Sequence, residues 1–164
     1  MSQFNNISNK LLSLEELLLK IPTWKREGKV VFTNGCFDIL HLGHLDYLGK
    51  ASELGHKLIV GLNNDTSVKK LKGTGRPVNN EQARAMMLAS LAIVDAVVLF
   101  EEDNPYELIQ RIVPNVLVKG SDYRVEEIVG HDIVLGNGGS VIPIDLLEGY
   151  STTSIIEKMQ NGEG

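Results

Sequence analysis

The chain has 164 residues, 43% of them hydrophobic, with one cysteine and a formal net charge of −5. That length buries one sizeable core and predicts a single domain, and one cysteine excludes an internal disulfide framework. A mildly acidic chain without a basic stripe excludes a general nucleic-acid binder, and the absence of a signal peptide or an apolar run of about 18 residues predicts a cytoplasmic protein with no membrane span.

Residues 1–28 read as an N-terminal helical extension ahead of a main domain at 29–164. Leu11, Leu12, Leu14, Leu17, Leu18 and Leu19 crowd one helical stretch, which Pro22 is expected to end or bend before Gly28 leads into the first strand. The leucines predict a helix packed on the core or on a second subunit, so a homodimer is one expectation. Beyond it, apolar strand candidates at 29–33, 57–62, 96–100, 116–119 and 140–146 alternate with helical candidates at 43–54, 64–70, 80–92, 104–112 and 151–160. Alternation of this kind predicts an α/β fold. Its form is a Rossmann-like open parallel sheet of five strands with helices on both faces, plus the N-terminal helix.

The first strand-to-helix crossing carries the chemistry. Val30, Val31 and Phe32 form a buried-strand run, and Leu45, Leu48 and Ala51 recur at helical spacing, so Asn34 to Gly43 is the connection. His41 and His44 fall where the helix begins, with Gly43 between them and Gly35 in the turn. In an open parallel sheet ligands bind beyond the carboxyl ends of the strands, and a helix start offers unpaired N–H groups and a positive dipole end to a phosphate. Two imidazoles there reach the same anion. Two other readings stand beside this one. Each histidine alone is equally well a helix-start residue bonded to a carbonyl, and imidazoles at this spacing also share zinc, although Cys36 is the sole cysteine and further ligands lack a local source.

Residues 69–76, KKLKGTGR, place four cations and two glycines between helical candidates. They are either a solvated loop or a segment closing over a polyphosphate, with flexible glycines beside Lys72 and Arg76. Arg84, one turn into the next helix, reads on its own as an exposed helical arginine. Lys119, Gly120 and Asp122 end the fourth strand at the same sheet edge, where a plain turn competes with a nucleoside contact. Ser151, Thr152 and Thr153 open the last helix, where capping competes with a phosphate grip.

His41-Leu42-Gly43-His44 matches the HxGH signature of the nucleotidyltransferase superfamily, and Ser151-Thr152-Thr153 resembles its second signature. The strings TNGCFDILHLGH, LKGTGRPVN, LVKGSDY and YSTTSII are most similar to those of the heptose 1-phosphate adenylyltransferases, over about Val30 to Met159. The resemblance implies transfer of AMP from ATP to D-glycero-β-D-manno-heptose 1-phosphate, giving ADP-heptose and pyrophosphate for lipopolysaccharide cores. Glycerol-3-phosphate cytidylyltransferases share the first and last blocks, pantetheine-phosphate adenylyltransfer is more distant, and a non-catalytic nucleotide sensor would use the same clamp. A redox Rossmann module is disfavoured because NGCFDILHLGH stands where G-x-G-x-x-G would be.

On this resemblance His41, His44 and Lys72 are the expected catalytic residues. Asn34, Gly35, Phe37, Gly43, Arg84, Lys119, Gly120, Asp122, Ser151, Thr152 and Thr153 are expected to bind nucleotide, and Asp38 and Arg76 the second substrate. Mg2+ is expected with ATP, and Asp38 is the candidate protein ligand for it. Because such transferases are often fused to a sugar kinase, the length of this chain implies a separate heptose kinase as a pathway partner.

Overall fold

A computed structural model describes residues 2–162. Five strands form one wholly parallel sheet in the order β3-β2-β1-β4-β5, comprising β1 (Val30–Gly35), β2 (Lys57–Asn63), β3 (Ala96–Phe100), β4 (Val116–Gly120) and β5 (Ser140–Ile144). The first three strands step outward in one direction and β4 returns to the far side of β1, so the sheet reverses its winding between β1 and β4. Five of the helices match the predicted alternation: α3 (Leu42–Ser52), α4 (Asp65–Lys72), α5 (Glu81–Ser90), α6 (Tyr106–Ile112) and α8 (Thr152–Asn161).

Alternate residues of each strand serve opposite faces. Val31, Leu58, Val60, Val97, Val116 and Val118 pack with Leu48 and Ala51 of α3 and with Leu88 and Ala89 of α5. Val30, Phe32, Ile59, Val98 and Leu117 pack on the other face with Leu108, Ile109 and Ile112 of α6 and with Val134. Both faces being covered is why the central strands read as continuous apolar runs.

The N-terminal region departs from expectation. It forms two helices, α1 (Gln3–Ser8) and α2 (Leu14–Glu27), and Pro22 lies inside α2 instead of ending it. Pro22 is exposed, while Leu17 and Ile21 of the same helix bury against the sheet. Of the leucines, Leu17 is fully buried in the core, whereas Leu19 is exposed. The linker between α1 and α2 also pairs with the sheet: Val97 N donates to Lys10 O at 2.8 Å and Leu12 N to Val97 O at 3.0 Å. The region before β1 thus covers one face and part of the β3 edge. A short helix, α7 (His131–Gly136), and a 3-10 turn at Val125–Glu127 were not foreseen.

Arg84 corrects a second expectation. It is not phosphate-facing and not an exposed helical arginine, because it is fully buried beneath the carboxyl edge. Nε donates to Asn79 O at 3.0 Å, Nη1 to Cys36 O at 2.7 Å and Asn63 O at 2.8 Å, and Nη2 to Asp65 Oδ1 at 2.8 Å. One planar fork therefore ties the loop after β1, the end of β2, the start of α4 and the entry to α5. Arg84→Met should lower unfolding free energy by about 3 kcal/mol, because the variant strands buried carbonyls and a carboxylate. Equilibrium urea unfolding tests this, and a loss below about 1 kcal/mol would overturn the keystone role.

Candidate functional site

The ladder between β1 and β4 joins Val31 to Val116 and Phe32 to Leu117 and goes no further, whereas β1 pairs with β2 along Val30–Gly35. Beyond Phe32 the two strands separate, and the reversal of winding opens a crevice at their carboxyl ends. Lys119 spans it, Nζ donating to Asn34 O at 3.2 Å and lying 3.4 Å from Asn34 Oδ1. Burial pushes the Lys119 ammonium below its ordinary range, although Cys36 and Asp122 work in the opposite direction. Above this crevice lies a cleft of about 670 Å³.

The predicted residues Asn34, Gly35, Phe37, Asp38, His41, Gly43, His44, Lys72, Arg76, Lys119, Gly120, Asp122, Ser151, Thr152 and Thr153 all line this cleft. Arg84 does not, for the reason given above. Tyr47 also lines it, one turn beyond His44 on α3, and helical spacing from His44 was the available signal. Leu146, Leu147 and Tyr150 close the side next to α8, and Asp103 to Pro105 with Glu127 to Val129 close the side next to α6 and α7. These stand on loops whose place over the cleft follows from strand order, which the sequence does not spell out.

His41 is the N-cap residue of α3 yet makes no side-chain capping bond. The start of α3 therefore keeps N–H groups that no side chain answers, with the positive end of the helix dipole behind them. The His41 and His44 rings stack with centroids 3.8 Å apart and 21° between planes, and Phe37 lies 5.2 Å from His44. Phe37 has φ 44°, a left-handed conformation that non-glycine residues seldom adopt, so the connection is strained where it supports the imidazoles. Nδ1 of each histidine is buried without a hydrogen-bond partner. A buried donor or acceptor left unpaired is costly, and two at one helix start point to a bound group that satisfies them. Gly43 is required there: a Cβ would lie 3.0 Å from the His41 ring and 3.1 Å from Tyr150 Cβ.

Burial drives the His44 pKa down to about 4, with the neighbouring His41 adding to the shift, and burial also lowers that of His41. Both rings are neutral near pH 7, so each keeps one N–H to donate and one nitrogen to accept. Burial raises the Cys36 thiol, which argues against a thiolate nucleophile.

The three hydroxyls at α8 are not equivalent. Ser151 Oγ accepts from Ser154 N at 3.0 Å and so caps the helix, Thr152 Oγ1 stands 3.5 Å from Ile39 O, and Thr153 is exposed. Lys72 is exposed and is the last residue of α4, so the cationic stretch continues that helix before it becomes a loop at Gly73.

Asp38 corrects the metal expectation. Its carboxylate is fully enclosed and accepts from Arg76 Nε at 2.6 Å, from Val78 N at 2.9 Å and from Asn79 N at 2.9 Å. Burial alone would raise this acid, but the amides of Asn79 and Val78 and the Arg76 guanidinium together hold it below the ordinary carboxylate range. Among the described residues no three His, Cys, Asp or Glu side chains converge on a metal position. Nor, among the described residues, is any helix long and apolar enough to cross a membrane.

Comparison with known proteins agrees with this geometry. The cytidylyltransferase-like family model matches residues 32–158. The Bifunctional protein HldE of Rhodopseudomonas palustris (strain BisB5) is 57% identical over 148 residues, 90% of this chain and 30% of that protein. The protein of the same name from Campylobacter concisus (strain 13826) is 53% identical over 158 residues, 96% of this chain and 32% of that protein. The chain therefore spans about a third of the length of the curated relatives it matches. Since those relatives are named bifunctional, the expectation of a separate kinase finds no support in them. Among solved structures, the lipopolysaccharide core biosynthesis protein from Thermoplasma volcanium GSS1 superposes with a TM-score of 0.60 at 26% identity, covering 76% of this chain and 99% of that one. Pantoate-beta-alanine ligase from Francisella tularensis, complexed with beta-gamma ATP and beta-alanine, has a TM-score of 0.61 at 17% identity over 89% of this chain and 75% of that one, a likeness of fold.

The histidine environment makes a pH prediction. An unfolded imidazole titrates near 6.5, above the folded value of about 4 for His44, so the unfolded state binds the proton first. Its contribution to stability is whole above about pH 6.5 and is lost as pH falls toward 4. In NMR titrations the His44 ring should respond near 4, and a midpoint at about 6.5 would mean an open, hydrated ring.

Proposed function

The chain belongs to the cytidylyltransferase-like family, and we propose that it transfers AMP from ATP to D-glycero-β-D-manno-heptose 1-phosphate, releasing pyrophosphate and yielding ADP-heptose for lipopolysaccharide core synthesis. The stacked His41–His44 pair at the uncapped start of α3, with both Nδ1 atoms unpartnered, carries the reaction type. The choice of acceptor rests on the likeness to the HldE proteins and to the lipopolysaccharide core protein.

A phosphate oxygen of the sugar attacks the α-phosphorus of ATP. A new P–O bond forms as the bond from the α-phosphorus to the bridging oxygen breaks, and the departing pyrophosphate takes the electron pair. The attacking oxygen is already ionised near neutral pH, so no general base is needed. The chain's task is then to position two anions and to stabilise charge that grows on the equatorial and leaving oxygens.

His41 and His44 donate to the α-phosphate and its bridging oxygen. Their neutrality in the free protein lets them enter an apolar-walled cleft without a desolvation cost for charge, and an anion beside them favours their protonation. Lys72 and Arg76 approach the polyphosphate from the α4 side, and Thr152 and Thr153 with the first-turn amides of α8 hold the leaving pyrophosphate. Lys119, Gly120 and Asp122 face the nucleoside. A Cβ at position 120 would stand 2.7 Å from Asp122 Oδ1, so glycine there keeps that carboxylate free to turn into the cleft. Mg2+ accompanies ATP as its counter-ion. Among the described residues the carboxylates build no cage for the ion, and no step is assigned to it.

Pyrophosphate release with Mg2+, testing ATP and CTP in parallel against the heptose 1-phosphate and glycerol 3-phosphate, decides the substrates. Release with ATP and the heptose phosphate alone is expected. Release with CTP and glycerol 3-phosphate would move the chain to the cytidylyltransferase branch, and no release from any pair would favour a nucleotide sensor. His41→Ala and His44→Ala should each lower kcat by a hundredfold or more, on the order of the loss of a transition-state hydrogen bond, with folding retained. Wild-type-like turnover of the folded double variant would overturn the assignment of the pair.

A further inference from the structure

We propose that Asp38 is a positioning residue that touches no substrate: its enclosed carboxylate holds the turn at 76–79 against the His41–His44 loop and thereby aims Arg76, and the Lys72 segment leading to it, into the cleft. The inference rests on the phosphate-binding reading of the cleft for its functional arm, while the structural arm stands without it.

The argument begins with what the segment lacks. Leu71 to Gly75 is exposed throughout, and a Cβ built at Gly73 or Gly75 would have nothing within 4 Å. A stretch so short of contacts has little packing of its own to fix its place over the cleft. Order therefore comes from its ends. One end is α4, whose first residue Asp65 is held by Arg84 Nη2. The other end is the 76–79 turn, and there the tethers converge on Asp38: Arg76 Nε and the amides of Val78 and Asn79 donate to the carboxylate, and Asn79 Nδ2 donates to Asp38 O at 2.7 Å.

The geometry also decides which atoms of Arg76 remain. The carboxylate takes Nε, while the two terminal nitrogens have no protein partner among the described residues, on a side chain that lines the cleft. A guanidinium gripped by its Nε and free at its tip is pre-organised to receive two oxygens of a phosphate. Asp38 follows Phe37, whose left-handed φ turns the chain at this point, and it precedes His41 by three residues. One short loop thus carries the imidazoles on one side of the cleft and the anchor for the cations on the other. The Asp38 side chain is fully enclosed and both of its oxygens already accept hydrogen bonds from the 76–79 turn, which makes it a poor partner for a sugar hydroxyl or a metal ion.

The test combines Asp38→Asn, close to isosteric, with Arg76→Ala. In the free protein, hydrogen exchange of amides 73–79 should accelerate about tenfold or more in Asp38→Asn, because an amide cannot reproduce the charged grip. Affinity for inorganic tripolyphosphate, which needs no acceptor and no turnover, should fall in Asp38→Asn, in Arg76→Ala and in the double variant by nearly the same factor, since the two residues act as one unit. Unchanged exchange would overturn the anchor. Losses that multiply in the double variant would show that Asp38 meets the ligand independently and would overturn the proposal equally. Should Asp38→Asn fail to fold, Arg76→Ala removes one donor to the carboxylate and should speed exchange over the same amides; no acceleration there overturns it too. Tripolyphosphate that binds none of the proteins, with exchange still accelerated in Asp38→Asn, would leave the anchor standing and fail the phosphate reading of the cleft.

Discussion

The buried guanidinium of Arg84 is the constraint on which the site depends. It has no solvent contact and it satisfies carbonyls from two loops and the end of β2, and a carboxylate at the start of α4. Cys36, Asn63 and Asn79 belong to connections that emerge at one edge of the sheet, and such connections would otherwise be free to drift apart. A planar fork with fixed donor directions sets their spacing in a way that a flexible ammonium does not. The histidine loop rests on that spacing on one side and the cationic segment on the other, with Asn79 bonded to both Arg84 and Asp38.

The cleft itself is a consequence of strand order. Because β4 returns to the far side of β1, the crossovers leave in opposite directions, and the β1–β4 ladder stops at Phe32 and Leu117 while both strands continue. Backbone that would pair in a longer ladder instead frames an opening, and Lys119 bridges it to Asn34. The charge pattern around the opening suits a ligand that brings its own negative charge. Its floor holds two imidazoles kept neutral by burial, its rim carries the cations Lys72 and Arg76, and two helix starts, at α3 and α8, face inward. Nothing in this arrangement requires a protein nucleophile, and its single thiol is made less acidic by burial.

Several residues that look alike in sequence diverge in the fold. Arg76 and Arg84 both precede or enter α5, yet one lines the cleft and the other is sealed beneath it. Ser151 and Thr153 stand two apart in a hydroxyl run, yet Ser151 is consumed as a helix cap and Thr153 is exposed. Asp38 reads as a ligand because it sits between a strand end and two histidines; in the fold its enclosed carboxylate accepts from Arg76, Val78 and Asn79. Hydrogen-bond partners decide each of these cases, and a partner distant along the chain leaves no local signature.

What the sequence determined by itself is the part governed by local periodicity and punctuation. The five strands, the five helices between and after them, and the meeting of His41, Gly43 and His44 at a helix start are all legible, because apolar period and turn chemistry act over a few residues. Pro22 inside α2 shows the limit of such rules: burial of Leu17 and Ile21 outweighs a local breaker on the exposed side of the helix. Only the tertiary structure decided that Arg84 is a keystone, that Asp38 is an anchor, and that the loops after β3, β4 and β5 close one cleft. Those outcomes depend on contacts between residues roughly twenty to more than a hundred positions apart, set by strand order and burial, which no window along the chain contains.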